Sequence, residues 1–237
     1  TFFLLWRLGF RPFFLGGAGF ATLAILLWLA FLGGVLHWHP AGGMLAWHRH
    51  EMMFGFAAAI VAGFLLTAVQ NWTATPGLTG RPLAVLAGIW LAGRLAWLLG
   101  APLWLLVPVD VAFLPLAAIV VGRQIFSVKQ IRNYPVPILL LLMTAANSVT
   151  LAGLVQGDDE LQRQGVHAGL WLVAAMMGLI GGRVIPFFTQ RGLMRKTQAP
   201  AIPALDRVAM GSAVLAAVLT AAGLSLTPSP WMAIVFA

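Results

Sequence analysis

Unbroken apolar stretches of about 18 residues or more recur along this chain, and each is long enough to cross a hydrocarbon core about 30 Å thick. A soluble fold has no place to bury so many. The composition agrees: of 237 residues, 61% are hydrophobic and 8% charged, where a soluble domain carries about 25% charged residues. A membrane barrel would alternate apolar and polar residues. The expected fold class is therefore all-α, a polytopic helical membrane protein in a lipid bilayer.

Turn signals divide the chain into about seven spans, roughly 13–36, 47–70, 82–99, 103–122, 135–155, 165–188 and 204–226. An eighth apolar run starts at Trp231 after a Thr-Pro-Ser-Pro turn and is too short to span. With Thr1 at its start, the chain reads as a single membrane domain, residues 1–237, the N-terminal part of a longer protein. It shows no internal repeat and no signal-peptide pattern.

The net charge of +8 does not mark a nucleic-acid binder, because the basic residues follow the loops of one side. Arg7, Arg11, Arg81, Arg123, Lys129, Arg132, Arg191, Arg195, Lys196 and Arg207 fall on the N-terminal side; Arg49 and Arg163 fall on the other; Arg94 and Arg183 lie inside spans. Positive charge stays in the cytoplasm, so the N-terminus is expected there. All five histidines, His37, His39, His48, His50 and His167, then lie toward the extracytoplasmic face. The chain has no cysteine, which leaves His, Met, carboxylate or backbone as ligands for any metal.

One stretch concentrates such groups: Trp47-His48-Arg49-His50-Glu51-Met52-Met53-Phe54-Gly55 opens the second span. At about 100° per residue, His48, Glu51 and Met52 share one helix face, while His50, Met53 and Phe54 share nearly the opposite one. On an unbroken helix the two histidines serve different neighbours; a helix starting near His50 leaves His48 able to turn inward. Imidazole suits haem iron and copper, thioethers suit reduced copper, and Glu51 is placed to orient a histidine. The plainer alternative is an interfacial anchor, the reading given to His37 and His39 beside Trp38 and Pro40. His167, followed by Ala168-Gly169, opens the sixth span, where small residues admit a neighbouring helix or a flat cofactor.

Arg94, Asp110 and Arg183 lie inside spans, where charge is costly and functional by default. Counting 1.5 Å per residue from the tight turn at Gly100, Arg94 and Asp110 both sit roughly 10 Å deep, close enough to pair across a hairpin. They form either a buried structural ion pair or a working site, in which Arg94 binds a haem propionate or Asp110 and Glu51 relay protons. Arg183 either snorkels or pairs with an acid. Nothing points to nucleotide use: there is no P-loop and no dinucleotide fingerprint.

Several motifs in order resemble the NnrS family. Arg7-Leu-Gly-Phe-Arg-Pro-Phe-Phe14 resembles its opening. Trp47-His-Arg-His-Glu-Met-Met-Phe-Gly-Phe56 is similar to its Trp-His-x-His-Glu-Met-x-Phe-Gly-Phe signature, and the following span ends in Thr67-Ala-Val-Gln-Asn-Trp72. Leu78-Thr-Gly-Arg-Pro82 and Gly182-Arg-Val-Ile-Pro-Phe-Phe-Thr189 also look like family segments. The resemblance implies a bacterial inner-membrane protein of about twelve spans, each of bilayer length. It also implies haem b, copper, and a role with nitric oxide and nitrosative stress. The polar motif positions are His48, His50, Glu51 and Arg183. His167 is added from topology, so that His48, His50, His167 and Met52 are the expected ligands of iron or copper, with His50 and His167 meeting near the periplasmic face. Only seven spans are read here, so ligands from later spans would be missing. A respiratory electron donor is a further possible partner. The alternative is a transporter or metal-uptake channel using the His/Met cluster and the intramembrane acids. Catalytic turnover is not indicated by any residue.

Overall fold

The structure is a computed structural model that describes residues 2–194 and 202–224. Its helices are α1 (Phe2–Leu5), α2 (Phe10–Leu32), α3 (Gly43–His50), α4 (Ala58–Thr73), α5 (Gly80–Leu98), α6 (Leu103–Ser127), α7 (Pro135–Gln156), α8 (Asp159–Gly192) and α9 (Pro203–Ala221). A π-helical turn, Glu51–Ala57, joins α3 to α4, and a 3-10 turn, Ile131–Asn133, precedes α7. No strand occurs among the described residues. Because α3, the π turn and α4 run on as Gly43–Thr73, seven helices among the described residues are long and apolar enough to cross a membrane. The apolar run from Trp231 and the basic residues Arg195 and Lys196 lie outside the described residues.

Consecutive spans from α5 to α9 pack as antiparallel neighbours, while α4 packs against both α2 and α6. The α3–α4 span is thus the most enclosed, and α2 and α9 the most peripheral. Leu26 on α2 and Leu99 after α5 are 59% and 80% exposed. Such apolar outer faces would be unstable in water and are what a bilayer solvates.

The largest departure from the sequence reading is the start of the sixth span. The acidic stretch 157–164 reads as a loop, but α8 begins at Asp159. Asp158 caps it, accepting the Leu161 N–H at 3.0 Å, and Asp159 and Glu160 in the first turn complement the helix dipole. Arg49 reaches Asp159 at 3.0 Å and ties α3 to this added turn.

Small residues set the closest helix approach. At Gly165, a Cβ would stand 2.5 Å from the Thr150 amide nitrogen and 2.7 Å from the Ala146 carbonyl oxygen, so α7 and α8 touch backbone to backbone. At Gly88 nothing lies within 4 Å. Gly165→Leu is expected to lose about 3 kcal/mol or more, the overpacking cost raised by backbone contact, with Gly88→Ala near neutral. Chemical unfolding in detergent measures both; equal effects would contradict this packing.

Candidate functional site

The π turn creates the site. Its N–H to C=O bonds skip one residue further than in an α-helix, as in the Ala58 N–H to the Met53 carbonyl. The shifted register leaves carbonyls to be satisfied from outside the segment, and within a bilayer only protein can do that. Side chains from α5 supply the donors: Trp90 Nε1 donates to the Gly55 carbonyl at 2.8 Å, and Arg94 donates to that of Phe54 at 3.3 Å. Trp90, Arg94 and Trp97 share one face of α5, spaced four and three residues apart.

Arg94 then binds two acids. Its Nε lies 2.7 Å from Glu51 Oε2; the N–H is not aimed at the oxygen, so this is an ion pair and not a hydrogen bond. Its other arm donates to Asp110 Oδ2, which also accepts from Trp97 Nε1 at 3.2 Å. Arg94 and Asp110 therefore pair across the α5–α6 hairpin, as their depth in the sequence implies.

His50 closes the cluster from the other side. Its Nδ1 faces Glu51 Oε1 at 3.1 Å. Its Nε2 faces Asn147 Oδ1 at 3.0 Å and Asp110 Oδ1 at 3.3 Å. Asn147 on α7 donates its amide to Asp110 Oδ1 at 2.9 Å, which orients the amide oxygen toward His50 and assigns a proton to Nε2. His50, Glu51, Arg94, Asp110 and Asn147 are all buried. When His50 carries a proton on each nitrogen, two cations balance two anions.

Two placements differ from the sequence reading. Glu51 shares a side with His50, not with His48, because the helix changes register at Glu51. His50 and His167 do not meet: His50 points into the bundle, drawn to Asp110 and Asn147, whereas His167 on α8 is exposed. The small residues after His167 admit a helix, since a Cβ at Gly169 would lie 2.9 Å from the Phe54 ring.

His48 faces away from the cluster and stacks on Trp28, with ring centroids 4.4 Å apart and planes 15° apart. Its Nδ1 is buried and makes no hydrogen bond among the described residues. Met52, four residues on, is half-buried, and His37 and His39 are exposed. Arg183 donates to Asn133 Oδ1 and to the Arg132 carbonyl at 2.8 Å, with its guanidinium 5.7 Å from the Trp72 ring.

The geometry bears unequally on metals and cofactors. His50, Glu51 and Asp110 offer ligand atoms within 4.8 Å of one another, a nitrogen–oxygen set suited to a divalent ion. Yet Arg94 already bridges both carboxylates, and both His50 nitrogens are committed. A cavity of about 820 Å³ between α7, α8 and α9 is lined by no histidine. The cluster as arranged therefore fits neither a metal ion nor a haem, and Arg94 has no hand free for a propionate. His48 fits better: a buried, partnerless imidazole nitrogen is the kind of group that an ion would satisfy.

These features define a polytopic helical membrane protein built around an intramembrane ionic cluster. The chain belongs to the NnrS family, whose profile, described as NnrS protein, matches residues 4–237. This family is linked to the nitric oxide response. No curated protein and no solved structure matches it.

If Arg94 and Asp110 stabilise each other, Arg94→Met and Asp110→Asn each lose about 3 kcal/mol or more by stranding a buried charge. The double variant should fall short of the summed loss by about 2 kcal/mol. Unfolding in detergent micelles measures this cycle; strictly additive losses would show that the two charges do not interact.

Proposed function

We propose that this chain is part of a haem- and copper-binding protein of the bacterial inner membrane that acts in the response to nitric oxide and in protection from nitrosative stress. The observation that supports the metal assignment is the buried Nδ1 of His48, which makes no hydrogen bond among the described residues. We assign His48 and His167, whose nitrogens are not spent on the cluster, as the imidazole ligands, and Met52, four residues after His48, offers a thioether. Iron or copper held there would supply the affinity for nitric oxide. His50, with Glu51, Arg94, Asp110 and Asn147, holds the span that presents His48 rather than ligating the metal itself.

Purified full-length protein should show a haem Soret band. His48→Ala or His167→Ala should abolish most of it or shift it, while Gly88→Ala leaves it intact. A band absent from the wild type, or unmoved in both histidine variants, overturns the assignment of these ligands.

The positive-inside bias supports the periplasmic face as the location of this end of the bundle. The chain lacks cysteine, so single thiols report sidedness cleanly. His39→Cys in intact spheroplasts should react with a membrane-impermeant thiol reagent, and Ser127→Cys only after lysis. The reverse pattern would place the histidines in the cytoplasm.

A further inference from the structure

The cavity of about 820 Å³ lies between α8, α9 and the turn before α7, and runs along α8 from Trp171, one helical turn after His167, to Arg183 at the basic end of the bundle. None of the proposed metal ligands lines it. Three arginines, Arg132, Arg183 and Arg207, and one acid, Asp206, contribute to its wall. Trp171 and Met210, with alanines and glycines of α8 and α9, make the remainder largely apolar. The cavity is thus amphipathic, with excess positive charge among apolar walls inside a set of membrane spans.

The arginines are fixed to different degrees. Arg183 is held by Asn133 and the Arg132 carbonyl, which leaves its charge in place while its donors are largely used. Arg207 donates from Nε to the Pro203 carbonyl, one turn back on α9, at 3.1 Å, which leaves the other guanidinium nitrogens for a ligand. Arg132 is exposed. Asp206 lies close to α8, where a Cβ at Gly182 would approach its Oδ1 at 3.5 Å. It offsets one of the three charges and leaves the wall cationic.

A ligand matching this wall carries an anionic oxyacid head and an apolar tail. Phosphate suits guanidinium donors, and basic pockets between spans at the basic end of a bundle take anionic head groups. We infer that this cavity binds an anionic phospholipid, with its phosphate at Arg132 and Arg207 and an acyl chain along Trp171 and Met210. The lipid would fill the space between α8 and the peripheral α9 and fasten α9 to the bundle.

Native mass spectrometry of the full-length protein, delipidated and then loaded from micelles containing either phosphatidylglycerol or phosphatidylcholine, tests this. Phosphatidylglycerol should be retained and phosphatidylcholine should not. Arg132→Gln with Arg207→Gln should weaken retention by about thirtyfold, at roughly fivefold per arginine near a membrane surface. Met210→Trp should weaken it as well, by filling the cavity with no change of charge, and the circular dichroism of each variant checks folding. Equal retention of the two lipids, or unchanged retention in both variants, overturns the inference. So does displacement by millimolar inorganic phosphate, which would show a site for free phosphate. Failure of wild-type protein to take up phosphatidylglycerol also overturns it and would point to further protein in the cavity.

Discussion

The meeting of α3, the π turn, α5, α6 and α7 depends on keeping Arg94 between Glu51 and Asp110. Moving an ion from water into a low-dielectric interior costs several kcal/mol even after relaxation, and here the residues are buried within membrane spans. The arrangement is tolerable because each charge meets an opposite one, and Trp97, Asn147 and the Phe54 carbonyl of the π turn add hydrogen bonds to it. The cluster draws on the π turn, α5, α6 and α7, with His50 from the end of α3. Removing one member therefore unbalances contacts made by several helices. Lipid tails give little hydrophobic drive for helices to associate, so satisfied polar contacts carry more of the specificity of packing.

The seven spans were legible because length and hydropathy alone decide whether a helix crosses a bilayer. The Arg94–Asp110 pair was legible for a similar reason: two ionisable residues at matching depth on adjacent spans have few other partners. What was not legible depends on local geometry. Glu51 was placed beside His48 by a uniform 100° advance, and the π turn breaks that uniformity with no proline or paired glycine inside the turn to announce it. Asn147 and Trp97 were missed because a lone amide and an indole in apolar runs look like ordinary span residues. The spacing of Trp90, Arg94 and Trp97 on one face of α5 was the available signal. The acidic start of α8 was read as loop, although Asp158 followed by Asp159 and Glu160 is an N-terminal helix signature.

The structure separates two roles that the sequence merges in one nine-residue motif. His50 and Glu51 turn inward and belong to the charge cluster. His48 turns away from the cluster onto Trp28, and its Nδ1 has no hydrogen-bond partner among the described residues. A motif with two histidines in three residues thus feeds the charge cluster from one side chain and stacks on α2 with the other. At the opposite end, Arg183 fastens the turn before α7 through Asn133, so that motif position also has a structural task beside its charge. Membership of the NnrS family links the whole to the nitric oxide response, with the division between His48 and His50 as the specific reading drawn from this chain.

The most direct measurement is an anomalous-scattering map of the full-length protein collected at the iron and copper edges. The expected result is a metal peak at His48 or His167, with Arg94 still between Glu51 and Asp110 and His50 still against Asn147. A peak at bonding distance from His50, with the Arg94 guanidinium displaced from the carboxylates, would contradict it.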